Sequence, residues 1–205
     1  MSTATEAPTI RFVWPKAGTD LDLAPLQGLW TEAQYLKLTD QTNQLIEFTD
    51  GVIEVLPMPT RKHQAISLLL LLALLNFVRP RNGAVFYSPL RLQILPGRYR
   101  EPDLLLLLNK DDPRNQDAYW LGADLVVEIV SPDDPERDTV VKRADYAEAG
   151  IPEYWIVNPL DETITVLTLA DREYAERGIF QRGMLATSLL LDGFSVTVDE
   201  VFDTH

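Results

Sequence analysis

Asp103 and Glu128 each stand in a strongly apolar, strand-like run, and that placement demands a chemical reason. Asp103 opens a run of five leucines, Leu104 to Leu108, directly after Glu101-Pro102. Glu128 sits inside Leu125-Val126-Val127-Glu128-Ile129-Val130. Side chains alternate between the faces of a strand, so Val126 and Val130 share Glu128's face and offer it nothing polar. A carboxylate in such surroundings must be paired, protonated or bound to a metal, because an isolated buried charge is too costly to keep. Two carboxylates on neighbouring strands suit one Mg²⁺, which proteins hold through one or two carboxylates while water and phosphate oxygens complete its shell. In phosphodiester hydrolysis such a cation polarises the phosphate, lowers the pKa of a bound water and offsets the charge that builds up. Lys142, on the helix that follows the Glu128 strand, is the candidate to hold the water and stabilise that same charge.

Each of these residues also has a plainer reading. Asp103 fits a strand-start residue capping backbone N–H groups. Glu128 fits a buried ion pair with an arginine, Arg91 or Arg143. Lys142 fits an i, i+4 pair with Asp138 on an exposed helix face, worth a few tenths of a kcal/mol. Tyr146, one turn beyond Lys142, fits core packing.

The elements that must position these groups follow from patterning. Thr31 is a plausible N-cap for a short helix over Glu32 to Leu38. Gln44 to Phe48 and Val52 to Leu56 flank Asp50-Gly51, a hairpin signal. His63 to Val78 carries apolar positions nearly all round, which predicts a helix buried on most sides. Its apolar run is shorter than the roughly 18 residues of a membrane span. Phe86 to Leu95 reads as one long strand marked by Pro89. Asp103 to Leu108 and Asp124 to Val130 read as strands buried on both faces. Pro135 to Gly150 reads as a helix, Glu153 to Val157 and Thr163 to Leu169 as strands, and the tail as weaker strands with a short terminal helix. The order predicts an α/β domain, a mixed central β-sheet covered by helices on two sides. An extended arm is expected over 1–28 and a single domain over 29–205. No Walker or Rossmann fingerprint occurs.

Composition narrows the chemistry. The chain has 205 residues, 46% of them hydrophobic, enough for a sizeable core. It has no cysteine, which removes disulfides, thiolate zinc sites and cysteine nucleophiles. Its two histidines are His63 and His205, so a histidine-rich zinc site is excluded and a metal would be a hard cation on oxygen ligands. No signal peptide is evident at Met1 to Ile10, and a soluble, cytoplasmic protein without a membrane partner is expected. The net charge of −13 opposes a general electrostatic grip on DNA. A local strip can still form: Arg61 and Lys62 precede His63, and Arg98 and Arg100 precede Asp103.

One set of residues carries a family resemblance. Pro102-Asp103, Val127-Glu128-Ile129-Val130-Ser131-Pro132, Asp138 with Lys142 and Tyr146, and Gly150-Ile151-Pro152-Glu153-Tyr154-Trp155-Ile156-Val157 closely resemble the Uma-type restriction endonucleases of the PD-(D/E)XK superfamily. Upstream, Ile46-Glu47, Asp50-Gly51 and His63 match as well. The resemblance covers roughly residues 30 to 190. It implies a restriction-endonuclease-like fold with an added N-terminal helix and hairpin and C-terminal strands. It also implies a Mg²⁺ site in which Mn²⁺ can substitute, cleavage of DNA, and a homodimer. It carries over Asp103 and Glu128 as metal ligands, Lys142 as the catalytic lysine, and Glu47 and His63 as active-site neighbours. The superfamily lysine stands two residues after the acid, a position held here by Val130, so Lys142 would replace it from the next helix. The expected function is a Mg²⁺-dependent endonuclease; the alternative is a catalytically silent binding or assembly module on the same fold.

Overall fold

Strands and helices alternate along the chain much as the apolar patterning requires. The computed structural model describes residues 9–14 and 17–204. In chain order they form β1 (Thr9–Trp14), β2 (Ala17–Asp22), α1 (Glu32–Thr39), β3 (Ile46–Thr49), β4 (Val52–Val55), α2 (Arg61–Val78), β5 (Ala84–Tyr87), β6 (Leu92–Leu95) and β7 (Arg98–Arg100). There follow β8 (Leu104–Leu107), β9 (Leu125–Ile129), α3 (Lys142–Glu148), β10 (Glu153–Asn158), β11 (Thr163–Ala170), β12 (Glu173–Phe180), β13 (Leu185–Thr187), β14 (Ser195–Thr197) and α4 (Val198–Phe202). A π-helical turn, Arg137–Val141, leads into α3. His205 lies outside the described residues, as does the start of the expected arm; within that arm, β1 and β2 pair as an antiparallel hairpin.

Two units are distinguishable. The first takes the described residues up to Met58 together with Leu95–Glu101. In it Thr31 caps α1 through a reciprocal box: its hydroxyl accepts from Gln34 N–H, and the Gln34 side chain accepts from Thr31 N–H at 2.9 Å. The β3–β4 turn places Asp50 at φ 47° and Gly51 at φ 91°, left-handed values that an Asp-Gly pair adopts at low cost. β4, β3 and β7 lie side by side in that order. Tyr35 stacks on Phe48 at 5.0 Å and donates to the Ile46 carbonyl. β7 has one apolar residue, Tyr99, between two arginines, which is why no strand is evident there from the sequence.

The second unit, Pro59–Ile94 with Pro102–His205, carries a six-stranded mixed sheet in the order β12-β11-β10-β9-β8-β5. β9 and β10 run parallel; the other neighbours are antiparallel. β8 and β9 are buried at every position, because each face of the sheet has its own apolar layer. On one face Ile66, Leu70, Leu74 and Val78 of α2 pack with Leu104, Leu106, Val127 and Trp155. On the other, Tyr146 and Ala147 of α3 pack with Leu105, Leu107, Val126, Val130 and Tyr154. This is the expected mixed sheet with helices on both sides.

Three local expectations change. α2 is buried along one face only; Leu68 is 56% exposed and Leu72 48%. At 18 residues it is also long and apolar enough, by composition, to cross a membrane, although here one face packs on the sheet. The run from Phe86 to Leu95 divides into β5 and β6 around Pro89, which has no N–H to continue a ladder. The helix read over 135–150 begins as the π-helical turn.

Glu153 shows how this unit holds a buried acid with hydrogen bonds alone. It is buried in β10 and accepts from Trp155 Nε1 (2.7 Å), Ser188 Oγ (2.6 Å), Leu189 N (2.8 Å) and Leu190 N (2.9 Å). These bonds fix the 188–190 turn over the sheet. Glu153→Ala would strand several buried donors and is expected to cost about 3 kcal/mol in urea unfolding, at 1–3 kcal/mol per unsatisfied group before water enters the gap. A loss below about 1 kcal/mol would contradict this role.

Candidate active site

Strand register brings the two acids of the oily strands together. Leu104 pairs with Val127, and continuing that antiparallel register by one residue sets Asp103 opposite Glu128. Leu105 and Leu107 share a face with Asp103, as Val126 and Val130 do with Glu128, and all four belong to the layer under α3. Asp103 is tied down at the strand end. Its Oδ2 accepts from Ile129 N at 2.7 Å, and its carbonyl accepts from Ser88 N at 3.2 Å. The strand-start capping role is therefore real, and it fixes the carboxylate beside Glu128 rather than replacing a site role.

Glu128 is 2% exposed, and a cation meets it there. Lys142 Nζ lies 2.9 Å from Glu128 Oε1 and 3.2 Å from Asp138 Oδ1. Tyr146 donates its hydroxyl to the same Glu128 oxygen at 2.5 Å. Lys142 is thus a partner of Glu128; Arg143 donates to the Tyr174 carbonyl and Arg91 to that of Ala118. The i, i+4 contact between Asp138 and Lys142 exists as well, but buried and shared with Glu128 rather than on an exposed face. Asp138, Lys142 and Tyr146 all point inward, while Val140 and Val141 are 60% and 52% exposed. Tyr154 holds the turn in place by donating to the Asp138 carbonyl at 2.8 Å.

His63 enters from the first turn of α2, whose N-cap Thr60 accepts from His63 N–H. Its Nε2 is 3.1 Å from Asp103 Oδ2. Burial works to lower the imidazole pKa, but the hydrogen bond and charge of Asp103, aided by Asp138, carry it above the ordinary histidine value. Burial raises the Asp138 carboxyl pKa; the charge and hydrogen bond of Lys142 oppose this, and Asp103 adds to it. Burial likewise drives the Tyr154 hydroxyl far above its usual range, with Glu128 and Asp138 adding to the effect. These groups share one electrostatic neighbourhood.

His63, Asp103, Glu128 and Lys142 are therefore brought together, and the structure adds Asp138 and Tyr146. Glu47 belongs to the first unit, buried, with Arg100 Nε 3.7 Å from Oε2 and the Glu101 N–H donating to Oε1. Glu47, on the β3–β4 hairpin, is therefore a buried acid with a cation near it. Of the expected basic strip, Arg98 pairs with Asp50 at 2.9 Å and Arg100 is buried against Glu47 and Thr49, so neither is an exposed free cation; Arg61 and Lys62 are exposed.

The residues fit a hard divalent cation in charge and in donor type. Three carboxylates lie with one ammonium and one imidazole in a largely buried site, a set of oxygen donors richer in acid than in base. Asp103 Oδ1 receives no hydrogen bond among the described residues, so it can serve as a ligand while Oδ2 keeps its strand-end bonds. Among the described residues no three His, Asp or Glu side chains enclose a cation by themselves. Removing the only lysine among these acids tests the balance. Lys142→Met should cost about 3–5 kcal/mol in urea unfolding with chelator present, the penalty of leaving a buried charge uncompensated. Adding Glu128→Gln should recover part of that loss, and strictly additive costs would show that the pair is not coupled.

Comparison with known proteins places this geometry. A crystal structure of "a putative nuclease belonging to DUF820" from Anabaena variabilis ATCC 29413 has a similar fold, with a TM-score of 0.71 over 85% of this chain and 98% of that one, at 22% identity. At that identity the likeness concerns the fold, a mixed sheet flanked by helices. No curated protein matches the chain. The family model for Uma2, described as "Putative restriction endonuclease", matches residues 32–199, a span that includes Glu47, His63, Asp103, Glu128, Asp138, Lys142 and Tyr146. The match takes in most of the chain and the whole constellation just described, and the protein therefore belongs to the Uma2 family.

Proposed function

We propose that this protein is a divalent-metal-dependent endonuclease that hydrolyses phosphodiester bonds in DNA, with Mg²⁺ as the resident ion and Mn²⁺ able to replace it. The observation that carries this reading is Asp103 fixed beside Glu128 at one strand end, with Lys142 2.9 Å from Glu128. Family membership and the nuclease-like fold support it. Asp103 and Glu128 would hold the cation, which when bound supplies Lewis-acid polarisation of the phosphate and a water of lowered pKa.

The chain's own residues do the rest. Tyr146 orients Glu128, and His63 and Ile129 N–H orient Asp103, so both ligands are held by partners that restrict their rotation. Lys142 sits where an ammonium can stabilise charge growing on a phosphate oxygen. The buried setting strengthens that interaction relative to water. A homodimer would present two such sites to the two strands of a duplex; this part of the proposal rests on analogy with the family.

A second reading, a silent binding module, draws on the same lysine: Lys142 already offsets Glu128 without metal, and the chain is strongly acidic. Asp103→Asn separates the two, since it keeps the side chain's shape and removes its charge. Wild-type protein is expected to nick supercoiled plasmid with Mg²⁺ or Mn²⁺, and Asp103→Asn to lose more than about 100-fold, beyond the 10–100-fold typical of a residue that only supports a ligand. Circular dichroism should show the fold retained. Cleavage that persists in this variant, or in chelator, would refute the assignment.

A further inference from the structure

The candidate site lies at one end of the sheet, and the two faces of the sheet bring opposite charge to it. Asp103 precedes β8, Glu128 lies near the end of β9, and Ser88, just past β5, bonds Asp103. From one face comes the first turn of α2, which places His63 on Asp103. Arg61 and Lys62 precede His63 directly and are exposed. Neither has a carboxylate within ion-pair distance among the described residues; the charge of Lys62 is felt at longer range by Glu162, which is itself bonded to Arg182.

From the other face comes the link between β9 and the π-helical turn. Its exposed charges are Asp133, Asp134 and Glu136, followed by Arg137. Several other cations are already engaged. Arg114 pairs with Asp112 and Asp124, Arg182 with Glu162, Asp199 and Asp203, and Arg143 donates to a carbonyl.

A polyanion therefore meets an asymmetric rim: two exposed cations within about one helical turn, roughly 5 Å of rise, of His63 on the α2 side, and three exposed acids on the α3 side. We infer that Arg61 and Lys62 are positioning residues that hold backbone phosphates of duplex DNA next to the scissile one, so that the strand crosses the first turn of α2 and not the 131–136 link. This inference rests on the nuclease reading above. It also reconciles DNA binding with a net charge of −13, because phosphate contact needs cations only where the backbone runs.

The test uses the full chain and a fluorescein-labelled DNA duplex. Binding is followed by anisotropy over a salt series with Ca²⁺ in place of Mg²⁺, and cleavage is followed with Mg²⁺. For the Arg61→Ala, Lys62→Ala double variant, the slope of log affinity against log salt should become shallower by about two, roughly one for each phosphate no longer neutralised. The effect should appear in KM more than in kcat. Arg61→Lys with Lys62→Arg should restore the slope, and thermal unfolding should be unchanged because both side chains are exposed. Asp133→Asn with Asp134→Asn should leave the slope as in wild type. A wild-type slope in the double alanine variant, with wild-type DNA binding intact, would overturn this inference and leave the nuclease reading standing. Wild-type protein that neither binds nor cuts the duplex would overturn both.

Discussion

Burying a carboxylate in an aliphatic strand is tolerated only when something offsets its charge, and in this protein that requirement organises the site. Glu128 is held in β9 by an ammonium from the next helix and a tyrosine hydroxyl from the same helix. The ammonium is shared with Asp138, and Asp103 is drawn to the same place by strand register and by the N–H of Ile129. One lysine and one histidine stand among three acids. The contrast with Glu153 is instructive. That acid is equally buried but surrounded by four hydrogen-bond donors, which solvate the carboxylate in place of a cation. The candidate site gathers three acids around one lysine, a setting that suits a divalent ion on oxygen ligands.

A π-helical turn leads into the helix that carries acid and base to the interior. Asp138, Lys142 and Tyr146 follow one another at i, i+4 spacing, which puts them on one face of a helix. Here the wider turn, closed by the Lys142 N–H on the Arg137 carbonyl, leaves Val140 and Val141 exposed while Asp138, Lys142 and Tyr146 face the sheet. Apolar residues outside and charged residues inside invert the usual logic of an amphipathic helix. Insertions of this kind recur where function overrides regular geometry.

Much of this was legible from residue types. A glutamate among valines and an aspartate leading five leucines are conspicuous because their local neighbours offer no partner, and the alternation of strands with helices gave the sheet and its two layers. Lys142 was accessible because it follows the Glu128 strand and because of the family resemblance. Asp138 was visible as a helix-pair partner of Lys142 and within the family resemblance, but its burial was not, since helical spacing says that two residues meet and not whether they meet in water or in the core. The π-helical turn had no distinct signal beyond two valines on the wrong face. Arg98 and Arg100 looked like rim cations, but their partners Asp50 and Glu47 are some fifty residues away in the chain and sequence distance hid them. The leucines of α2 suggested burial all round, yet a helix on one face of a sheet buries a single stripe.

Whether the gathering of acids around Lys142 is a cation site can be read by calorimetric titration of chelator-treated protein with Mn²⁺. Saturable binding is expected in wild-type protein, lost or strongly weakened when Asp103 is changed to Asn. No binding heat at millimolar Mn²⁺, or an isotherm indifferent to the loss of the Asp103 charge, would contradict it.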